Sequence, residues 1–365
     1  MRLAILSQSA RIYSQMAQQE GFSVFAVDAF ADADTRQAAQ SVYQWPGLCE
    51  QQPGDEMAGL FAALDAFQPD AVLIGSGLEA NLASYHVLSA RYALLANLPA
   101  TVGRVKTPQW LKACCNVHSV QSPSITDTQP ATGQWLYKQA GQCGGSHVQH
   151  WQSEMDEVER GYWQAFQPGQ AIGILFLAHA QSVTLIGVHA LRQHADSYAY
   201  AGATRLHDAL LYEAANHVLQ ALVPALGLVG INSIDAIWHE GTLHVIEVNP
   251  RLSASMRLYM ALPLIQAHIA SCLHEAVPAL AQQTNAASHC IMYARKTIDV
   301  SQLSFPDWLE DRPCGGNITA GQPICSVYAE GQSDREVQQA LLDKKTRLEK
   351  LWGTYVCDNI EFNIH

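Results

Sequence analysis

Glu247, Asn249 and Arg251 alternate along one short stretch of this 365-residue chain. Alternate residues of an extended strand share a face, so a carboxylate, an amide and a guanidinium should project together there. Residues 231–238 and 243–248 are runs rich in Ile and Val, and the polar break between them contains Gly241, which reads as a β-hairpin. Asp235 lies on the first run. A three-residue loop of His239, Glu240 and Gly241, with Gly in the left-handed position, pairs Trp238 with Thr242. Asp235 then sits opposite Val245 and diagonal to Glu247 on the same face. A loop of two or four residues sends it to the other face. Neighbouring carboxylates repel each other, and a hard cation held by Asp235, Glu247 and the Asn249 oxygen would remove that cost. Magnesium prefers oxygen and takes few ligands from protein. The alternative is two strand-end acids that are merely solvated.

A second constellation lies upstream. Residues 135–138 read as a strand ending in Lys138, and a loop containing Gly141, Gly144 and Gly145 leads to a returning strand at His147 and Val148. Glycines let a backbone approach phosphate oxygens and aim N–H groups at them, and Lys138 supplies a point charge. No Walker loop occurs. Lys106 precedes a helix expected over residues 109–117. No Ser/His/Asp or Cys/His arrangement for nucleophilic catalysis stands out.

The elements that must position these groups are legible in outline. Residues 3–6, 12–20 and 22–27 read as strand, helix and strand, with Gly21 ending the helix, which argues for a parallel α/β unit. Residues 57–67 read as a helix leading through Pro69 to a strand over 71–74. The following residues 75–80 formally satisfy G-x-G-x-x-A. That fingerprint belongs to a first strand, with an acid about 20 positions on, and neither condition is met. A tight strand-to-helix turn placing Glu79 at a cleft is the better reading. Residues 98–108 form a linker, residues 171–178 and 183–189 are apolar strands, and residues 206–226 are helical. Apolar helical sequence follows Met256 to about Leu280, then a break, a strand over 290–294, a turn-rich β segment and a charged helix over 333–351.

Composition bounds the function. A chain 48% hydrophobic and 15% charged is a globular protein with room for two or three domains. Its net charge of −12 argues against a nucleic-acid partner. No apolar run reaches membrane-spanning length. Nine cysteines without zinc spacing, and no signal peptide over residues 1–10, point to free thiols in a cytoplasmic protein.

Asp235, Glu247 twelve positions on, Asn249 and Arg251 resemble the metal-binding hairpin of the ATP-grasp superfamily. Lys138 and its glycine loop resemble that family's flap, with Gln139 standing where Pro is usual. Residues 75–79 and 28–36 resemble segments of its amino-terminal domain. The resemblance implies an α/β (α+β) ATP-grasp fold. A Rossmann-like pre-ATP-grasp domain would cover residues 1–105 and the ATP-grasp domain residues 106–290. A β-rich segment and helix over 291–365 would pack on that core. ATP and magnesium (or manganese) are the implied cofactors, with Asp235, Glu247 and Asn249 as metal ligands. Arg251 and Lys138 become catalytic, and Lys106, Lys138, Gly141, Gly144, Gly145, Gln164, Phe166 and Gln167 contact the nucleotide. The implied activity is carboxylate–amine ligation through an acyl phosphate, releasing ADP and phosphate, and a homodimer is compatible with it. The carboxy-terminal segment resembles relatives of the tyramine–glutamate ligase, which implies glutamate and a tyrosine-like amine as substrates. Two alternatives stay open: an inactive nucleotide-binding regulator of the same fold, and an NAD(P)-dependent oxidoreductase using residues 75–80.

Overall fold

The computed structural model describes residues 1–49, 56–150, 161–180, 182–194 and 197–353. Its first unit is a parallel sheet of β1 (Arg2–Ser7), β2 (Ser23–Asp28), β3 (Ser41–Gln44) and β4 (Ala71–Ile74), in the order β3-β2-β1-β4. Helices α1 (Arg11–Gln19), α2 (Ala33–Ala38) and α3 (Glu56–Phe67) connect these strands, and α4 (Leu82–Arg91) follows the last. Parallel sheets are covered on both faces, which is why β1 and β4 read as unbroken apolar runs. Ala4, Leu6, Val72 and Ile74 face Leu60 and Leu64 of α3. Leu3, Ile5 and Leu73 face the other way, into a core shared with α1 and with the remainder of the chain. Strand order reverses between β1 and β4, so the crevice at their carboxyl ends is the switch point where ligands of such sheets gather.

Helices α5 (Pro99–Val105) and α6 (Pro108–Val117) each open on a proline in the first turn, where its missing N–H costs nothing. A small sheet follows, made of β5 (Ile125–Thr126), β6 (Trp135–Gln139), β7 (Gln149–His150) and β8 (Gly161–Ala165), in the order β5-β8-β6-β7. The chain then enters β9 (Gln170–His179), β10 (Ser182–Gln193) and β11 (Tyr200–Arg205). Helix α7 (Ala209–Leu226) comes next, then β12 (Gly230–His239) and β13 (Thr242–Asn249). Asp208 caps α7 by accepting the Leu211 N–H at 3.0 Å, so the helix starts three residues later than its apolar pattern.

Helix α8 (Leu264–Cys272) follows, then β14 (Ala286–Tyr293), a short pair β15 (Ile298–Asp299) and β16 (Asn317–Ile318), β17 (Pro323–Gly331) and α9 (Asp334–Trp352). The long strands form one antiparallel sheet, β13-β12-β9-β10-β11-β14-β17. Because β14 spans residue 290, this sheet runs unbroken across the boundary expected there. Helix α7 covers one face, burying Leu211, Leu219 and Leu222 against Ile174, Phe176, Ile234 and Val248. Leu175, Leu177 and Ile231 point the other way, into the core shared with β1 and α8. The helix expected to reach Leu280 ends at Cys272, where His274 turns to a φ of 57°. The fold is therefore mixed α/β, with the parallel Rossmann-like sheet docked against a large antiparallel one.

Candidate active site

The β12–β13 hairpin turns in two residues, not three. His239 pairs with Thr242, and Glu240 and Gly241 take φ of 46° and 77°, the left-handed pair that a two-residue hairpin loop demands. Unmodified, that register would set Asp235 against Ile246 and send Glu247 to the other face. The ladder instead slips: Ala236 pairs with Val245, while Asp235 pairs with Glu247 and Ser233 with Asn249. Ile246 is the extra residue of a β-bulge. The expected loop is wrong and the expected shared face is right, because the bulge cancels the shorter turn.

On that face, Asn249 donates to Asp235 Oδ2 at 3.1 Å. Lys106, which follows α5, reaches Glu247 Oε1 at 2.5 Å and lies 3.4 Å from Asn249 Oδ1. Burial alone would raise the Glu247 carboxyl, but the charge and hydrogen bond of Lys106, with help from Lys138 and His147, bring it below its ordinary value. Among the described residues Asp235 has the Asn249 amide and no ion-pair partner. Burial, and then the charge of Glu247, push it up to about 6. Arg251 donates through Nε to Glu79 at 2.8 Å and through Nη1 to the Leu252 carbonyl at 3.1 Å.

Lys138 projects from the end of β6 across to β8, where Nζ donates to Gln164 Oε1 at 2.6 Å. Burial lowers its pKa to about 8, against the opposing charges of Glu247 and Asp235. Beyond it, Gly141, Gly144 and Gly145 all have positive φ, so the loop's shape depends on residues free of the left-handed penalty. Gly145 packs so tightly on the β10–β11 connection that a Cβ would lie 2.0 Å from the Tyr198 carbonyl oxygen. The Tyr200 N–H donates to the Gly144 carbonyl at 3.0 Å.

A cleft opens between this small sheet and the hairpin. Lys106, Gly141, Gln164 and Glu247 line it, together with Gln142, His147, Tyr162, Ile125, Leu111, Val245 and Ile246. Phe166 and Gln167 lie past the end of β8 and, like Lys138, Gly144, Gly145, Asp235, Asn249 and Arg251, are not among its lining residues. Phe166 is tied by its N–H to Gln134, and Gln167 contacts Pro168. Gln164, expected at the base of a nucleotide, is also the partner of Lys138. His147 and Tyr162 were missed by sequence reasoning. Burial, with Lys138 and Lys106 nearby, lowers His147 to about 4 despite Glu247. The signal available was a basic ring directly after the glycine loop.

Two motifs resolve into supports. Asp28 accepts the N–H groups of Ala10, Phe30 and Ala31. Asp32 caps α2 through the Thr35 N–H, and Asp34 pairs with Arg312. The 75–80 turn is no dinucleotide site. It follows β4, and Glu79 places a carboxylate 2.6 Å from the Gly77 N–H that a pyrophosphate would need. Helix α4 starts only at Leu82, with Asn81 as its cap.

Paired acids beneath a Lys-and-glycine flap, on an antiparallel sheet docked to a Rossmann-like unit, are the ATP-grasp architecture. Residues 103–255 match the family model of the ATP-grasp domain, and this stretch contains every site residue named above except Glu79. No curated protein matches the sequence. Among solved structures the fold resembles N5-carboxyaminoimidazole synthetase from Staphylococcus aureus complexed with ADP, at 13% identity and TM-score 0.69, covering 95% of this chain and 97% of that one. It also resembles an L-amino acid ligase from Bacillus licheniformis, at 12% identity and TM-score 0.67, covering 94% and 97%. Rhizobium etli pyruvate carboxylase matches at 14% identity and TM-score 0.70; 95% of this chain is covered, and it spans 39% of that longer chain.

Proposed function

We propose that the protein is an ATP-dependent ligase that activates a small-molecule carboxylate as an acyl phosphate and passes the acyl group to an amine. The observation that supports this reading is Lys106 bonded to Glu247 and close to Asn249, with Lys138 near enough to feel the charges of Glu247 and Asp235, next to a cleft lined by Lys106, Gly141 and Glu247. Among the described residues no group of three or more His, Cys, Asp or Glu could hold a metal by itself. Two carboxylates and an amide oxygen suit magnesium or manganese, which complete their shells with phosphate oxygens. Magnesium held there would supply positive charge against that developing on the phosphates. Lys138, Lys106 and the loop N–H groups would hold the phosphates. The Nη edge of Arg251 would meet the phosphoryl group as it transfers, positioning and electrostatics being the main sources of rate in such chemistry.

Because these groups bracket the terminal phosphates, the leaving group is ADP and not pyrophosphate. Glutamate with a tyrosine-like amine is the first pair to try. Release of ADP, screened over paired amino acids and amines, tests the activity, and ADP that forms with no acid or amine dependence would refute it. Oxygen-18 in the acid's carboxylate should pass to inorganic phosphate, whereas label in AMP would overturn the acyl phosphate. A regulator that only binds nucleotide would show Mg·ATP affinity and no turnover with any pair. No helix among the described residues is long and apolar enough to cross a membrane.

A further inference from the structure

Glu79 belongs to the amino-terminal unit, 172 residues from Arg251, yet its carboxylate is 3% exposed and engaged on both sides. One oxygen accepts the Gly77 N–H at 2.6 Å and the other accepts Arg251 Nε at 2.8 Å. The turn that carries it is rigid by packing. A Cβ on Gly75 would lie 2.5 Å from Ser7 Oγ, and one on Gly77, at φ 116°, 2.2 Å from Leu48 Cδ2. The same unit also holds the backbone beside Arg251. Leu252 N–H donates to the Ile74 carbonyl at the end of β4 (3.1 Å), and Tyr13 donates to the Leu252 carbonyl at 3.3 Å.

A guanidinium has five N–H donors in a fixed plane. With Nε taken by Glu79 and one Nη1 hydrogen by the Leu252 carbonyl, the remaining donors lie along the Nη edge. Nη2 lies 3.5 Å from Asn249 Oδ1, on the face that carries Asp235 and Glu247. Glu79 is thus buried with one bond on each oxygen, and its geometry sets which edge of Arg251 is turned to the face that carries Asp235 and Glu247.

We propose that Glu79 is the positioning residue for Arg251. It makes the parallel sheet's switch-point turn a working part of the phosphoryl-transfer site in addition to a neighbour of it. This rests on the ligase reading, in which Arg251 meets the transferring phosphoryl group. Bidentate, planar recognition is sensitive to orientation, and loss of an orienting partner typically costs about tenfold to a hundredfold.

The test uses the full chain with Mg·ADP, alone and with aluminium fluoride as a mimic of the transferring group, followed by calorimetry. Wild type is expected to bind Mg·ADP more tightly with fluoride present. Arg251→Met and Glu79→Gln should each remove about tenfold or more of that gain while leaving Mg·ADP alone within about twofold. Glu79→Asp, which keeps the charge, should recover part of it. In the Arg251→Met background Glu79→Gln should cost nothing further, a result that a merely structural role would not produce. Loss in Arg251→Met with full retention in Glu79→Gln overturns the positioning role and leaves the ligase reading standing. Retention in both variants, or no gain in wild type, overturns both. Should Glu79→Gln fold poorly, Glu79→Asp decides alone: a gain equal to wild type despite a carboxylate one methylene shorter counts against the proposal.

Discussion

Gly144 and Gly145 differ in a way that separates backbone strain from packing. Both have left-handed φ, 77° and 80°, so alanine at either carries a cost of about 1–2 kcal/mol for holding that conformation. At Gly144 nothing lies within 4 Å of the added Cβ, whereas at Gly145 the Tyr198 carbonyl oxygen is 2.0 Å away and its carbon 2.8 Å. The obstacle is backbone, so the loop must lift by about 1.5 Å or more to reach ordinary contact distance. Lifting breaks the bond from Tyr200 N–H to the Gly144 carbonyl, worth about 1 kcal/mol. If the glycine loop closes on the phosphates in this conformation, Gly144→Ala should weaken Mg·ATP binding about fivefold to thirtyfold. Gly145→Ala should weaken it by a further factor of about five or more. Gly21, also left-handed at 85° with open space around it, ends α1 far from the cleft. Alanine there should lower the melting temperature and leave nucleotide affinity unchanged. Calorimetric titration of the three variants decides the matter. Wild-type affinity in Gly145→Ala, or equal losses at 144 and 145, would refute the reasoning.

Glu247→Gln should abolish ADP formation even in saturating magnesium and lower the melting temperature by a few degrees, because Lys106 loses its charged partner; unchanged turnover would sink the metal assignment. Asn97, 2% exposed, donates to Asn232 Oδ1 and the Pro250 carbonyl and accepts the Val229 N–H. Asn97→Ala leaves those three groups buried without it and should cost about 2–4 kcal/mol in urea denaturation with an unchanged slope. His268 accepts the Ile231 N–H at Nδ1 and therefore donates from Nε2 to the Leu95 carbonyl. Burial holds it at about 4, below its ordinary 6.5. The unfolded chain then takes the proton first as pH falls. Stability is complete above pH 6.5 and lost toward pH 4, by about 3 kcal/mol from this ring alone. His268→Gln should flatten that part of the curve, and an unchanged slope would count against the neutral assignment.

What could be read from sequence was what local chemistry determines. The parallel unit was legible because Val, Ile and Leu runs alternate with a helix stopped at Gly21. The strand carrying Lys138 and the loop after it were legible because residues 135–137 run into glycines, which the structure holds at positive φ. Elements held by distant partners were not. Helix α2 spans only Ala33–Ala38 and lies between an Asp32 cap and the Asp34–Arg312 pair, which sequence spacing does not announce. The helix expected to reach residue 280 stops eight residues short, since apolar composition over 273–280 cannot overrule His274's left-handed turn. Phe166 and Gln167 followed from position in the chain alone, and they lie just past the end of β8.

The hairpin shows why correct conclusions and correct intermediates can part company. Gly241 fits the left-handed place of a three-residue loop as well as the second place of a two-residue one, so composition cannot choose between them. Register, however, is constrained by burial. Ala236 and Val245 belong to the core beneath α7, and moving either to the cleft face would expose apolar surface while burying an acid among Leu and Ile side chains. A two-residue loop satisfies that core only if one residue of β13 drops out of the ladder before Glu247. Ile246 is that residue, and it lines the cleft beside Val245, Ile125 and Leu111. The Val245 N–H turns outward to the Gln121 carbonyl at 2.8 Å, tying the bulged strand to the segment after α6. The bulge therefore brings Asp235 opposite Glu247 and, by the same displacement, gives the cleft an apolar wall next to its acids.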